Sequence, residues 1–221
     1  MKIAIINCDL DESIQTNGGC LLKELFVEVD LINYHEGEVI SDFSGYDGFV
    51  ITGSRAHINQ VDLYPWLKNV KKAVYKIEEL NKPCLGVCFG MHIVSDVFGG
   101  RVEVQATYEV GFKKVLLDNT NKLFYGLNNG CMVYEAHKDY TSLMPIGSTV
   151  LAQNELCVQA FQYKNFYCLQ FHPEINYSVA KLMAERDGDN LESVLGCVEN
   201  GYDKSKIIVK NFIEICENYV N

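Results

Sequence analysis

Short apolar runs alternate with segments of helical periodicity through the first hundred residues, and this alternation constrains the fold more than any other feature of the chain. Residues 2–7, 27–34, 47–52 and 83–87 are apolar runs bounded by polar or turn residues, which predicts buried strands. Between them, residues 19–26 support a helix, and Trp66, Leu67, Val70, Val74 and Ile77 share one helical face. Residues 89–97 resume helical spacing directly after the last run. Strands and helices in this order predict an α/β fold with an open, largely parallel sheet covered by helices on both faces.

The texture changes after Gly99-Gly100. Residues 101–117 are rich in Val and interrupted by Gly111, and 132–136, 149–152 and 166–171 are further short strand candidates, expected as antiparallel additions in the C-terminal half. Residues 179–185 and 204–219 read as closing helices. A chain of 221 residues can bury one full α/β core, and no segment has the look of a long linker, so residues 1–221 are expected to form a single domain. The sequence shows no internal repeat.

Charge and cysteine content narrow the function. The formal net charge is -10 without any Lys/Arg cluster, which argues against nucleic acid as a partner, because phosphate backbones demand concentrated positive charge. The apolar start reaches only to Asn7, too short for a signal sequence, and no run approaches the roughly 20 apolar residues of a membrane span. Nine cysteines without a CxxC pair suggest reduced thiols and a cytoplasmic location. His35, His57, His92, His137 and His172 lack the paired spacing of a metal site. Neither a metal nor another cofactor is expected.

The chemistry concentrates at Gly86-Val87-Cys88-Phe89-Gly90. A strand, a sharp turn and a helix place Cys88 on the turn, and glycines two before and two after it reproduce a nucleophile elbow, where small neighbours permit a strained backbone to present one side chain. The first N–H groups of the following helix then face any charge that develops beside the sulfur. Far downstream, Gln170-Phe171-His172-Pro173-Glu174 offers a base and a carboxylate to orient it. Residues two apart in an extended strand project to one face, which would bring His172 and Glu174 together, unless Pro173 and Glu174 already leave the strand. In open α/β sheets ligands sit at the carboxyl ends of the strands, so Gly53 and Ser54, ending an earlier strand, are expected beside Cys88. An N–H from that turn and the N–H of Phe89 would make an oxyanion hole.

These residues resemble the class I glutamine amidotransferase family. The motifs fall in the family's order: Thr52-Gly53-Ser54 before Pro65-Trp66, the Cys88 elbow, Gly99-Gly100, His137-Lys138-Asp139 before Leu143-Met144-Pro145, and the terminal His172-Pro173-Glu174. The resemblance covers about residues 45–180 and is nearest to small stand-alone members similar to the glutaminase part of GMP synthase and to γ-glutamyl peptidases. It implies a flavodoxin-like sheet, attack by Cys88 on the side-chain amide of glutamine, proton transfer by His172, and orientation of His172 by Glu174. It further implies a substrate site that includes His92, Arg55 and His137.

Two positions depart from the family. Its elbow continues as C-x-G-x-Q, and here the Gln position holds His92; Arg55 stands where many relatives carry Pro. Arg55 either pairs with a substrate carboxylate or extends into solvent. The chain ends where a glutaminase domain ends, and it contains no P-loop motif. The expected function is therefore hydrolysis of glutamine through a cysteine thioester, possible supply of ammonia to a separate synthetase subunit included. The alternatives are a stand-alone γ-glutamyl peptidase and, in another class, a ligand-binding or regulatory protein that keeps the fold without turnover.

Overall fold

The computed structural model describes residues 1–196, 198, 203 and 205–220. In chain order the elements are β1 (Ile3–Asn7), α1 (Gly18–Lys23), β2 (Val29–Asn33), β3 (Gly48–Ile51), α2 (Leu67–Glu79), β4 (Cys84–Val87), α3 (Phe89–Val97), β5 (Arg101–Leu117), β6 (Gly130–Leu143), β7 (Thr149–Gln153), β8 (Val158–Tyr163), β9 (Phe166–Leu169), α4 (Tyr177–Asp187), α5 (Leu191–Leu195) and α6 (Ser205–Val220). Lys204, at the start of the last expected helix, lies outside the described residues.

Among the described residues the strands form one nine-stranded sheet in the order β2-β1-β3-β4-β9-β8-β7-β5-β6. The first five strands of that order pair in parallel, and the rest are antiparallel. The sequence expectation of a mostly parallel α/β sheet with antiparallel additions is met. One detail is corrected: the 166–171 segment, expected among the antiparallel additions, forms β9, which pairs parallel to β4 through Cys84↔Phe166 to Val87↔Leu169 and antiparallel only to β8. A strand reached by a hairpin from β8 still runs parallel to β4, because β8 itself runs opposite to the first half of the sheet.

The period of two along β1 divides the core. Ile3 and Ile5 pack with Leu22 of α1 and with Ile208, Val209, Phe212 and Cys216 of α6. Ala4 and Ile6 point the other way, onto Leu67, Val70, Val74 and Ile77 of α2 and Phe89, Ile93 and Val94 of α3. Both faces of the strand are apolar because both are covered by helices. No described helix is long and apolar enough to cross a membrane.

The strand β5 is longer and more irregular than its composition suggests. Val104 pairs with Asp139 and Glu109 with His137, so residues 105–108 have only Lys138 opposite them and form a bulge in the β5/β6 ladder. That bulge lies at the carboxyl edge of the parallel strands, above the Cys88 turn, where Tyr108 joins the lining of a cavity with Cys88.

A cysteine turn and a cavity at the carboxyl edge of the sheet

Cys88 adopts φ 49° and ψ -102°, in the half of the map that side chains rarely enter. Its N–H donates to the Leu169 carbonyl at 2.7 Å, so the strand pairing of β4 with β9 continues to the turn itself. A non-glycine residue held at positive φ stores strain on the order of 1–3 kcal/mol, sustained only where the surroundings fix it. The glycines supply those surroundings. A Cβ on Gly86 would stand 2.8 Å from the backbone of Gly90, and one on Gly90 would stand 2.4 Å from the Ile51 carbonyl oxygen. Helix α3 therefore rests directly on β3 and β4, main chain against main chain, with Cys88 at its head.

His172 is brought to Cys88 by a turn after β9. Its N–H donates to the Tyr134 carbonyl at 2.9 Å, tying the turn to β6. The ring's Nδ1 meets Glu174 Oε1 at 2.7 Å. Sequence analysis reached this pair by strand alternation; the strand instead ends at Leu169, and Pro173 and Glu174 sit in a turn, so it is the turn that folds the carboxylate back. Gly18 leaves room for that carboxylate, since a Cβ there would lie 3.2 Å from Glu174 Oε1. Burial works against the charged ring, yet the Glu174 carboxylate and a hydrogen bond with Cys88 outweigh it and raise the His172 pKa well above the ordinary imidazole range.

Gly53 stands between the two. A Cβ on it would lie 2.9 Å from His172 Cε1 and 3.8 Å from Cys88 Cβ, so the turn after β3 passes within van der Waals distance of both side chains. Ser54, Arg55, His57, Cys88, His92 and Tyr108 line a cavity of about 340 Å³ together with Ala56 and residues 136–139. Phe89 is buried with its ring 6.0 Å from that of Trp66, and its main chain opens α3 directly after Cys88.

His92 is buried, and its Nε2 lies 2.8 Å from Gln170 Oε1; the Gln170 amide in turn donates toward Cys88 Sγ at 3.7 Å. Burial depresses the His92 pKa to about 4, so the ring is neutral near pH 7. Nε2 must then carry the proton donated to Gln170. His137 also borders the cavity, but both of its nitrogens face protein groups: Nδ1 is 3.0 Å from the Asp139 carbonyl, and Nε2 is 3.1 Å from Glu109 Oε2 and 3.4 Å from Glu135 Oε2. Arg55 is exposed at the rim.

Tyr108 and His57 escape sequence reasoning, and Gln170 and Asp139 enter it only as parts of motifs, with no role. Tyr108 reaches the cavity only through the bulge, Gln170 meets His92 of α3 from just beyond the end of β9, and His57 Nδ1 in the loop after β3 meets Asp139 Oδ2 of β6 at 2.5 Å. Buried polar residues need partners, so Gln170 carries a signal; Tyr108 and His57 carry none in the linear chain.

Known proteins give the context for this geometry. A family model described as glutamine amidotransferase class-I matches residues 7–187. The GMP synthase (glutamine-hydrolyzing) of Wolinella succinogenes is 31% identical over 164 residues, covering 71% of this chain and 30% of that protein. The enzyme of the same name from Bacillus cereus is 34% identical over 147 residues, covering 63% of this chain and 26% of the relative. The chain thus matches less than a third of the length of these relatives. In fold it is similar to a glutamine amidotransferase from Thermotoga maritima, with a TM-score of 0.84 at 21% identity over 98% of this chain and 97% of that one. A glutamine amido transferase from Methylobacillus flagellatus gives a TM-score of 0.73 at 17% identity over 99% and 92%. With the family model running through the elbow, the His172 turn and most of the chain between them, this protein belongs to the class-I glutamine amidotransferase family.

Proposed function

We propose that the chain hydrolyses the γ-amide of glutamine to glutamate and ammonia through a thioester on Cys88. The observation that carries this reading is the strained Cys88 turn beside a His172 whose Nδ1 is held by Glu174 at 2.7 Å. Cys88 Sγ attacks the amide carbon, its proton passes by way of His172 to the leaving nitrogen, and the C–N bond breaks to release ammonia. Water then attacks the thioester, giving its proton to His172; the C–S bond breaks and glutamate leaves as the thiol is restored. Glu174 holds the ring orientation through both steps. We assign the N–H groups of the Gly53-Ser54 turn and of Phe89 to the carbonyl oxygen as it gains charge; the nearness of Gly53 to His172 and Cys88 and the place of Phe89 directly after the sulfur support this.

The substrate grip is assigned to the cavity wall formed by Arg55, His92 and His137. Similarity to GMP synthases supports a synthetase as recipient of the ammonia, which we propose to be a separate subunit. Hydrolysis of γ-glutamyl peptides is the second reading, and one observation favours it. The position that continues the elbow holds His92, whose Nε2 is committed to Gln170, so the grip on a free amino acid is altered at that point.

Intact-protein mass after brief exposure to glutamine or to γ-glutamyl dipeptides tests the proposal. A γ-glutamyl adduct that forms on the wild type and is absent from Cys88→Ala, with ammonia release lost in the same variant, is the expected result. The ratio of kcat/KM for glutamine and the dipeptides separates the two substrate readings. A Cys88→Ala protein that still releases ammonia at the wild-type rate would end both.

A further inference from the structure

Behind the wall of the cavity lies a second constellation that shares only His137 with the wall and whose other members the proposed hydrolysis does not use. Glu109 on β5 and His137 on β6 are direct cross-strand partners, Glu135 is two residues from His137 on the same face, and Cys157 precedes β8. One carboxylate oxygen of Glu109, one ring nitrogen of His137 and the sulfur of Cys157 lie within 4.8 Å of one another. The sequence offered no sign of this grouping, since its donors come from three separate strands or turns rather than from paired spacing.

Glu135 supplies the independent observation. It is 0% exposed, and neither of its carboxylate oxygens has a hydrogen-bond partner, while Oε2 points at the same His137 Nε2 from 3.4 Å. A buried carboxylate without donors is costly unless a cation neutralises it. With both carboxylates ionised, one protonated imidazole between them leaves one negative charge uncompensated.

The surrounding hydrogen bonds fix the donors as ligands require. His137 Nδ1–H donates to the Asp139 carbonyl at 3.0 Å, which directs Nε2 toward the carboxylates, the outer-shell arrangement that orients metal-binding histidines. Glu109 is held on its other sides by Asn154 Nδ2 at 2.6 Å and Gln159 Nε2 at 3.1 Å. Tetrahedral zinc, with bonds of about 2.0–2.3 Å, separates its donors by roughly 3.3–3.8 Å. The 3.1 and 3.4 Å gaps around Nε2 are close to that spacing.

We propose that Glu109, His137 and Cys157 form a zinc site that pins β5, β6 and the β7–β8 turn together behind the cavity, with the adjoining Glu135 carboxylate turning in as fourth donor when the ion binds. The mixed N, S and O donor set suits zinc better than the all-oxygen preference of Ca²⁺ or Mg²⁺. Binding displaces the proton from His137 Nε2 and the thiol proton of Cys157 while Nδ1–H is kept.

The test uses the whole chain, without an affinity tag, as the Cys88→Ser variant, so that the elbow sulfur cannot act as a ligand. Zn²⁺ is titrated against a chromophoric chelator, and Co²⁺ is added separately to read the thiolate-to-metal absorption. Expected are about one zinc per chain and a Co²⁺ charge-transfer band that vanishes in Cys157→Ser, with affinity falling about 100-fold or more in His137→Asn. Should His137→Asn fail to fold, Cys157→Ser decides alone, because that side chain is only half-buried. Absence of stoichiometric zinc, or a Co²⁺ spectrum unchanged by Cys157→Ser, overturns the site and leaves His137 as an imidazolium shared between two carboxylates.

Discussion

Adding one methyl group at Gly53 tests whether the close approach of three chain segments positions the imidazole. In Gly53→Ala the new carbon lies 2.9 Å from His172 Cε1, 3.6 Å from Nδ1 and 3.8 Å from Cys88 Cβ. Ordinary contact requires about 3.4 Å or more, so the ring must withdraw by roughly 0.5–1 Å. Withdrawal is resisted by Glu174 at 2.7 Å and by the main-chain bond to Tyr134 at 2.9 Å. Misplacement of a reacting group by about 1 Å can cost on the order of 100-fold in rate. We expect kcat for γ-amide hydrolysis to fall about 10- to 100-fold, equivalent to about 1.4–2.7 kcal/mol. The loss should appear in kcat more than in KM. Gly53 does not occupy the left-handed region, so alanine adds no backbone strain, and stability in urea should change by less than about 1 kcal/mol. Ammonia release and urea melts on the same preparation read both quantities. A folded variant with kcat within twofold of wild type would show that the ring is not held where this geometry requires.

Two further outcomes follow from the titrating groups. His92 has a folded pKa depressed to about 4 by burial, against 6.5 when unfolded; Asp139, His137 and His57 also act on it. The unfolded chain takes up the proton first, so stability is fully present above pH 6.5 and declines as pH falls toward 4, by up to about 3 kcal/mol. Urea melts at pH 7 and pH 5 should show this decline in the wild type and a flatter response in His92→Gln, the variant that also restores the family residue; equal slopes would exclude His92 as its source. In Glu174→Gln the charge that opposes burial around His172 is removed, so proton loss from the ring should shift to lower pH by NMR and kcat should fall about 100-fold or more. An unmoved His172 titration would show that the raised pKa has another origin.

The legible parts of this molecule were those in which local periodicity and contact coincide. Residues 89–97 are α3 as expected, because the strand before it is apolar and Gly90 admits the crossing of Ile51. The strand at Val158–Tyr163 went unseen: Gln159 and Gln162 interrupt its apolar pattern, and the first is buried only because Glu109 receives its amide. Met132–Ala136, expected as a short strand, is the first half of one that extends over Gly130–Leu143, whose continuation through His137, Asp139, Tyr140 and Thr141 is mostly polar and paired with β5. The same logic separates site residues. Cys88, His172 and Glu174 sit in short motifs that announce their chemistry, whereas Tyr108 and Glu109 depend on how a bulge sets the register of two distant strands.

The seat of the sulfur and the walls around it have different foundations. Main chain of Ile51 and Gly90 meets beneath the turn that carries the cysteine, whereas most of the surface a substrate would meet belongs to the loop at 54–57, the β5 bulge at 105–108 and residues 136–139 of β6. Such a division permits selectivity to drift while the reactive centre stays fixed: exchanging the three rim segments between relatives should transplant preference, and altering the glycine crossing should extinguish reactivity towards every ligand alike.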